Sequence, residues 1–129
     1  MFDEETINTL ENPRKIEFES MAQDYMEDAR KHHELYLLKG SRIELDNAVD
    51  SYIDAIKFNP NMAEAYYRLA SLLWDKGEIN LSSAIEQCVS AVNISPDNPN
   101  ARIYAGYFFE MAKQYNEAEK EYKAAIKIN

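Results

Sequence analysis

A spacing pattern, Ala-x3-aromatic-x2-Ala-aliphatic-x-aliphatic, recurs three times along this chain of 129 residues. The copies begin at Ala48, Ala84 and Ala118, so their starting points lie 36 and then 34 residues apart. Cys88 takes the aromatic place in the second copy, and a small polar residue followed by proline closes the first two copies. A fixed period of this size indicates stacked supersecondary units rather than one globular core.

The apolar residues between these landmarks recur at spacings of three and four, which is typical of amphipathic helices. Asn12-Pro13 predicts the start of a first helix that ends before Gly40, either continuous or broken near Lys31. Further helices are predicted over residues 43–58, 63–76, 81–94, 99–112 and 115–128. No alternating strand pattern occurs, so the predicted fold is all-α. Residues 1–12 show no clear period and are expected to be disordered, and residues 13–129 are expected to form a single domain.

The second copy carries the most complete set of small, apolar and proline landmarks: Tyr66, Leu69, Ala70, Leu73, Gly77, Ala84, Cys88, Ala91 and Pro96. With this set the chain resembles the tetratricopeptide repeat family, whose unit is a helix-turn-helix of about 34 residues. The resemblance implies about three repeats, over residues 27–60, 63–96 and 99–129. It also implies a right-handed superhelical array of antiparallel helix pairs, preceded by an N-terminal helix.

In that family the first helices of the repeats line a concave groove that binds partners. The positions carried over to this chain are Arg30, Glu34, Tyr67, Arg68, Ser71, Trp74, Ile103, Tyr104, Tyr107 and Glu110. Tyrosine, tryptophan and arginine dominate interaction hot spots, which favours an aromatic platform for a partner. The alternative is that packing or the N-terminal segment covers these rings.

One subclass of the family grips the C-terminal carboxylate of heat-shock chaperones with basic and amide side chains. The matching places here hold Arg30, Glu34, Arg68, Asn100 and Tyr104. Because Glu34 would repel a carboxylate, the sequence predicts no such clamp.

The formal net charge of −9 makes nucleic acid and anionic membranes poor partners. A protein or peptide with a basic or an aromatic and apolar segment is the predicted partner. No apolar run approaches the ~20 residues that span a bilayer, and the single cysteine favours a cytoplasmic location. Adjacent His32 and His33 cannot chelate one metal ion together. No metal, cofactor or catalytic residue is therefore predicted, and the chain is not expected to be an enzyme.

These observations predict a protein-interaction module or adaptor that binds a peptide or helix of its partner in the groove. Three alternatives stay open. The chain could be a scaffold that self-associates through its C-terminal helix, where Ala118, Tyr122, Ala125 and Ile126 are apolar. It could act like a bacterial secretion chaperone, which shares its small size and acidity. It could also be the N-terminal fragment of a longer multidomain protein.

Overall fold

The computed structural model describes residues 3, 4 and 14–128, and these residues contain helices and no strand. Within residues 14–128 six long helices follow one another: α1 (Lys15–Lys39), α2 (Arg42–Phe58), α3 (Ala63–Lys76), α4 (Leu81–Ile94), α5 (Pro99–Met111) and α6 (Tyr115–Ile128). The all-α repeat fold expected from the sequence is confirmed. Helix α1 runs without interruption through Lys31. The predicted start at Asn12-Pro13 lies outside the described residues.

The helices begin and end at capping residues that can be recognised in the sequence. Gly40 and Gly77 close α1 and α3 in the left-handed conformation, with φ of 65° and 72°, which glycine adopts at little steric cost. Asn98 opens α5 by accepting hydrogen bonds from the backbone amides of Asn100 and Ala101. Pro99 stands at the first position of that helix, where its missing donor costs nothing.

The helices fall into two compact units, Met1–Pro60 and Asn61–Asn129. In the first unit α1 packs against α2, and the buried apolar residues include Met26, Leu45 and Tyr52. His33 is buried, and its Nδ1 lies 3.1 Å from the hydroxyl of Tyr52. The single domain predicted over residues 13–129, and its right-handed superhelical form, stay predictions.

In the second unit α3 packs against α4, α4 against α5, and α5 against α6, while α3 also contacts α5 directly. Its core is built from small residues and a few large ones: Ala63, Tyr67, Ala70, Ala84, Cys88, Ala91, Val92, Ala101, Ala105 and Phe108. The alanines let neighbouring helix axes approach closely, and the rings fill the remaining space. This packing positions the side chains of α3 and α5 that form the candidate site.

Candidate partner-binding face

Two tyrosines join α3 to α5. The ring centroids of Tyr67 and Tyr104 lie 4.7 Å apart. Tyr67 is only 2% exposed, and the side chains of Asn98 and Asn100 lie near its hydroxyl. Burial raises the pKa of Tyr67, while the neighbouring positive charge of Arg68 acts in the opposite direction. Tyr67 therefore supports the candidate surface as a packed, neutral residue, whereas Tyr104 on α5 is only half-buried.

A second aromatic group lies further along the same two helices. The buried ring of Phe108 meets Trp74 of α3 edge to face, with the centroids 6.1 Å apart. It meets Tyr107 in the same manner at 5.5 Å. Tyr107 is 51% exposed, so about half of its surface is open to a ligand. The contact with Phe108 restrains the position of the Tyr107 ring. We call the accessible side chains of these two helices the α3–α5 face: Arg68, Ser71, Trp74, Ile103, Tyr104 and Tyr107.

The sequence analysis did not identify Phe108 as a core residue. Phe108 is among the largest fully buried side chains, whereas Phe109 is only partly buried. The available signal was the spacing Ala101, Ala105 and Phe108, which places three buried residues on one stripe of α5.

Charged groups at the candidate site already have partners within the chain. Arg68 Nε donates to Glu64 Oε2 at 2.8 Å, and its guanidinium carbon lies 5.7 Å from the centroid of the Tyr67 ring. At the end of α5, Glu110 Oε1 accepts a hydrogen bond of 2.9 Å from the Tyr122 hydroxyl. Burial, followed by this hydrogen bond to a carboxylate, raises the pKa of Tyr122 to about 12. Because Arg68 is already paired with Glu64, an acidic ligand would have to compete with Glu64 for Arg68.

Arg30 and Glu34 lie in the other unit, four residues apart on α1, and both side chains are exposed. Their spacing places them on one face of that helix. Their assignment to the partner site stays a prediction. Within residues 3, 4 and 14–128 no three His, Cys, Asp or Glu side chains are grouped as a metal site would require.

Cys88 is fully buried among the core residues of the second unit, and burial raises the pKa of its thiol to about 12. Because the thiolate is the reactive species, we expect a disulfide reagent at pH 8 to label folded protein at least about 100-fold more slowly than protein in denaturing urea. Absorbance of the released thiolate measures both rates. Equal rates in the two conditions would contradict the buried placement of Cys88.

Comparison with known families agrees with the repeat period, with the small residues at fixed positions of the repeat and with the pairing of the helices. The family model described as TPR repeat matches residues 43–77. The model described as Tetratricopeptide repeat matches residues 63–98, which contain the pair α3 and α4. The chain belongs to the tetratricopeptide repeat family. Its members are typically interaction modules that have no catalytic activity of their own.

Solved tetratricopeptide structures share this fold. The Arabidopsis OM64 TPR domain is 20% identical, with 87% of this chain and 85% of that chain aligned and a TM-score of 0.71. The first TPR of Spaghetti (RPAP3), bound to the HSP90 peptide SRMEEVD, is 20% identical over 86% and 81% of the two chains, with a TM-score of 0.70. The TPR2B domain of yeast Sti1, in a complex with pHsp70, is 27% identical over 81% and 79%, with a TM-score of 0.65.

A protein-interaction module is thus the general class to which this tetratricopeptide protein belongs. Of the helices from Lys15 to Ile128, none combines the length and apolar character needed to cross a bilayer.

Proposed function

We propose that this tetratricopeptide protein is an adaptor that binds a segment of a partner protein on the α3–α5 face. The observation that carries the proposal is the half-exposed ring of Tyr107, held against buried Phe108. Ile103 lies one helical turn away and is also exposed. A restrained aromatic ring loses little conformational freedom on binding, which is why such residues often dominate interaction energies.

The charges of this face favour a partner segment that is aromatic or apolar, with a basic group. Arg68 is paired with Glu64, and Glu110 adds a second carboxylate at the end of α5. The chain as a whole carries a net charge of −9. A positively charged segment would meet an attractive field here, whereas an acidic one would be repelled.

The two chaperone-bound neighbours support a peptide as the type of ligand, since the same fold accommodates one in each of them. The clamp of the chaperone-binding subclass is not expected here. Glu34 stands at one of its positions, and at another the ring of Tyr104 packs against that of Tyr67. The peptide SRMEEVD therefore serves as a negative control. The secretion-chaperone interpretation rests on size and acidity, and it stays a prediction.

A peptide selected from a random display library against the full chain tests the proposal. Its affinity is measured by fluorescence anisotropy for the wild type, Tyr107→Ala and Tyr115→Ala. Tyr115 is the matched control, because it is another exposed tyrosine of the same unit that lies on α6.

We expect Tyr107→Ala to weaken binding at least about 10-fold, the loss typical of a hot-spot residue. Tyr115→Ala should change the affinity less than about 2-fold, since exposed residues outside a binding site contribute little. Unchanged affinity in Tyr107→Ala, or tight binding of SRMEEVD to the wild type, would contradict the proposal.

A further inference from the structure

Helix α6 carries an exposed apolar stripe that the adaptor function does not use. Tyr115 is 62% exposed and Ile126 is 73% exposed. Together with Ala118 and Tyr122 they line a shallow cavity of about 270 Å³. At 100° per residue, five positions fall within one sector of about 100° on the helix. We call them the α6 face: Tyr115, Glu119, Tyr122, Lys123 and Ile126.

The helix one repeat earlier shows what happens to such a face when another helix covers it. Counting back 34 residues, Leu81 and Val92 of α4 correspond to Tyr115 and Ile126. Val92 is only 8% exposed. Both α4 residues pack in the core cluster to which α5 contributes its alanines. The positions of the α6 face are therefore the ones that a packed helix buries in this fold.

Two substitutions distinguish the α6 face from its counterpart on α4. Ile85 and Val89 of α4 are replaced by Glu119 and Lys123, whose charged atoms lie 2.8 Å apart within α6. A helix with the alanine-rich contact surface of α5 would bury these charges without offering them new partners, which is unfavourable. A suitable occupant must instead bring opposite charges at the same spacing.

A second copy of α6 meets that requirement. In an antiparallel pair with the two-fold axis near residues 120 and 121, Glu119 faces Lys123 of the second copy, and Lys123 faces Glu119. The same axis places Tyr115 within one residue of the position opposite Ile126 of the second copy, so apolar and charged contacts fit nearly the same register. The helix has three acidic and three basic residues, so two copies do not repel one another here despite the overall charge of −9.

We propose that the α6 face forms a two-fold symmetric contact between two copies of this chain. Such a contact is isologous, because each residue meets the same surface on its partner. A helix of 14 residues is only about 21 Å long. The buried area is therefore below the standard interface size, and the dimer is weak.

Molar mass by light scattering during size exclusion, over a concentration series from about 10 μM to 1 mM, tests the contact. We expect the wild-type mass to rise from about one chain towards two, as it does for a weak association. Ile126→Glu should remain monomeric throughout, because it places an unpaired charge in the apolar contact. A wild type that is monomeric at every concentration, or an Ile126→Glu variant that still dimerises, would overturn the proposal.

Ile103→Glu is the control, since Ile103 is an exposed isoleucine of the same unit on the other candidate surface. It should dimerise as the wild type does while losing peptide binding. The two proposals can therefore fail separately, because Ile126→Glu and Ile103→Glu report on different faces.

A charge exchange identifies the occupant as a second copy rather than another helix. Glu119→Lys and Lys123→Glu each place like charges across the two-fold axis, so each variant alone should be monomeric. An equimolar mixture of the two should recover the dimer, because one chain then supplies two positive groups and the other two negative groups. If the mixture remains monomeric, the antiparallel register is wrong. If each variant alone dimerises as the wild type does, the second copy is not the occupant.

Discussion

Phe108→Ala is expected to lower the free energy of unfolding of the second unit by about 3–5 kcal/mol, the usual range for removing a buried phenylalanine ring. Phe108 is almost fully buried and touches the rings of Trp74 and Tyr107. An alanine would leave a cavity beneath both of them. The same change should weaken peptide binding on the α3–α5 face, since Tyr107 would lose the ring that restrains it.

Urea unfolding followed by tryptophan fluorescence measures this loss, because Trp74 is the only tryptophan of the chain and it lies in the second unit. Circular dichroism at 222 nm monitors both units in the same samples. Phe109→Ala is the matched control, as it removes the same ring from the next position of α5, where the side chain is only partly buried. We expect a clearly smaller loss there. An equal or larger loss in Phe109→Ala would contradict the assignment of Phe108 to the core.

The helix boundaries could be predicted because local chemistry fixes them. Glycine supplies the left-handed conformation at residues 40 and 77, and Asn98 supplies the side-chain cap of α5. The end of α5 was harder to predict, because no glycine or capping side chain marks it in the sequence. Lys113 adopts a φ of 62° just beyond it, a conformation that carries no sequence signal when a residue other than glycine adopts it.

The candidate site could be predicted only in part, because exposure depends on which helices meet. Tyr67 and Tyr107 both occupy groove positions of the family pattern. Tyr67 is nevertheless buried and packed against Tyr104, whereas Tyr107 is half-exposed. The spacing of residues shows which side chains share a face of a helix. It does not show whether a neighbouring helix covers them, since that depends on helix crossing and on residues distant in sequence.

Gly106→Ala is the second substitution with a large expected effect. A Cβ atom at this position would lie 2.6 Å from Cε1 and 2.8 Å from Cδ1 of Tyr122, closer than two non-bonded carbon atoms ordinarily approach. Alanine favours a helix over glycine by about 1 kcal/mol, whereas overpacking of a core costs about 1–3 kcal/mol. Because the ring of Tyr122 is held by its hydrogen bond to Glu110, we expect an overpacking cost in the upper part of this range, about 2–3 kcal/mol, and therefore a net loss of about 1–2 kcal/mol.

A double-mutant cycle separates the collision from every other effect of the added methyl group. In a Tyr122→Ala background the ring that Cβ would meet is absent, so only the helix preference remains and Gly106→Ala should stabilise by about 1 kcal/mol. The same substitution therefore changes sign between the two backgrounds, with a coupling of about 2–3 kcal/mol. Urea midpoints of the four proteins, measured by the fluorescence of Trp74, give this number directly. If Gly106→Ala stabilises the wild type as much as the Tyr122→Ala variant, the ring moves aside freely, and the close approach of α5 and α6 does not require glycine.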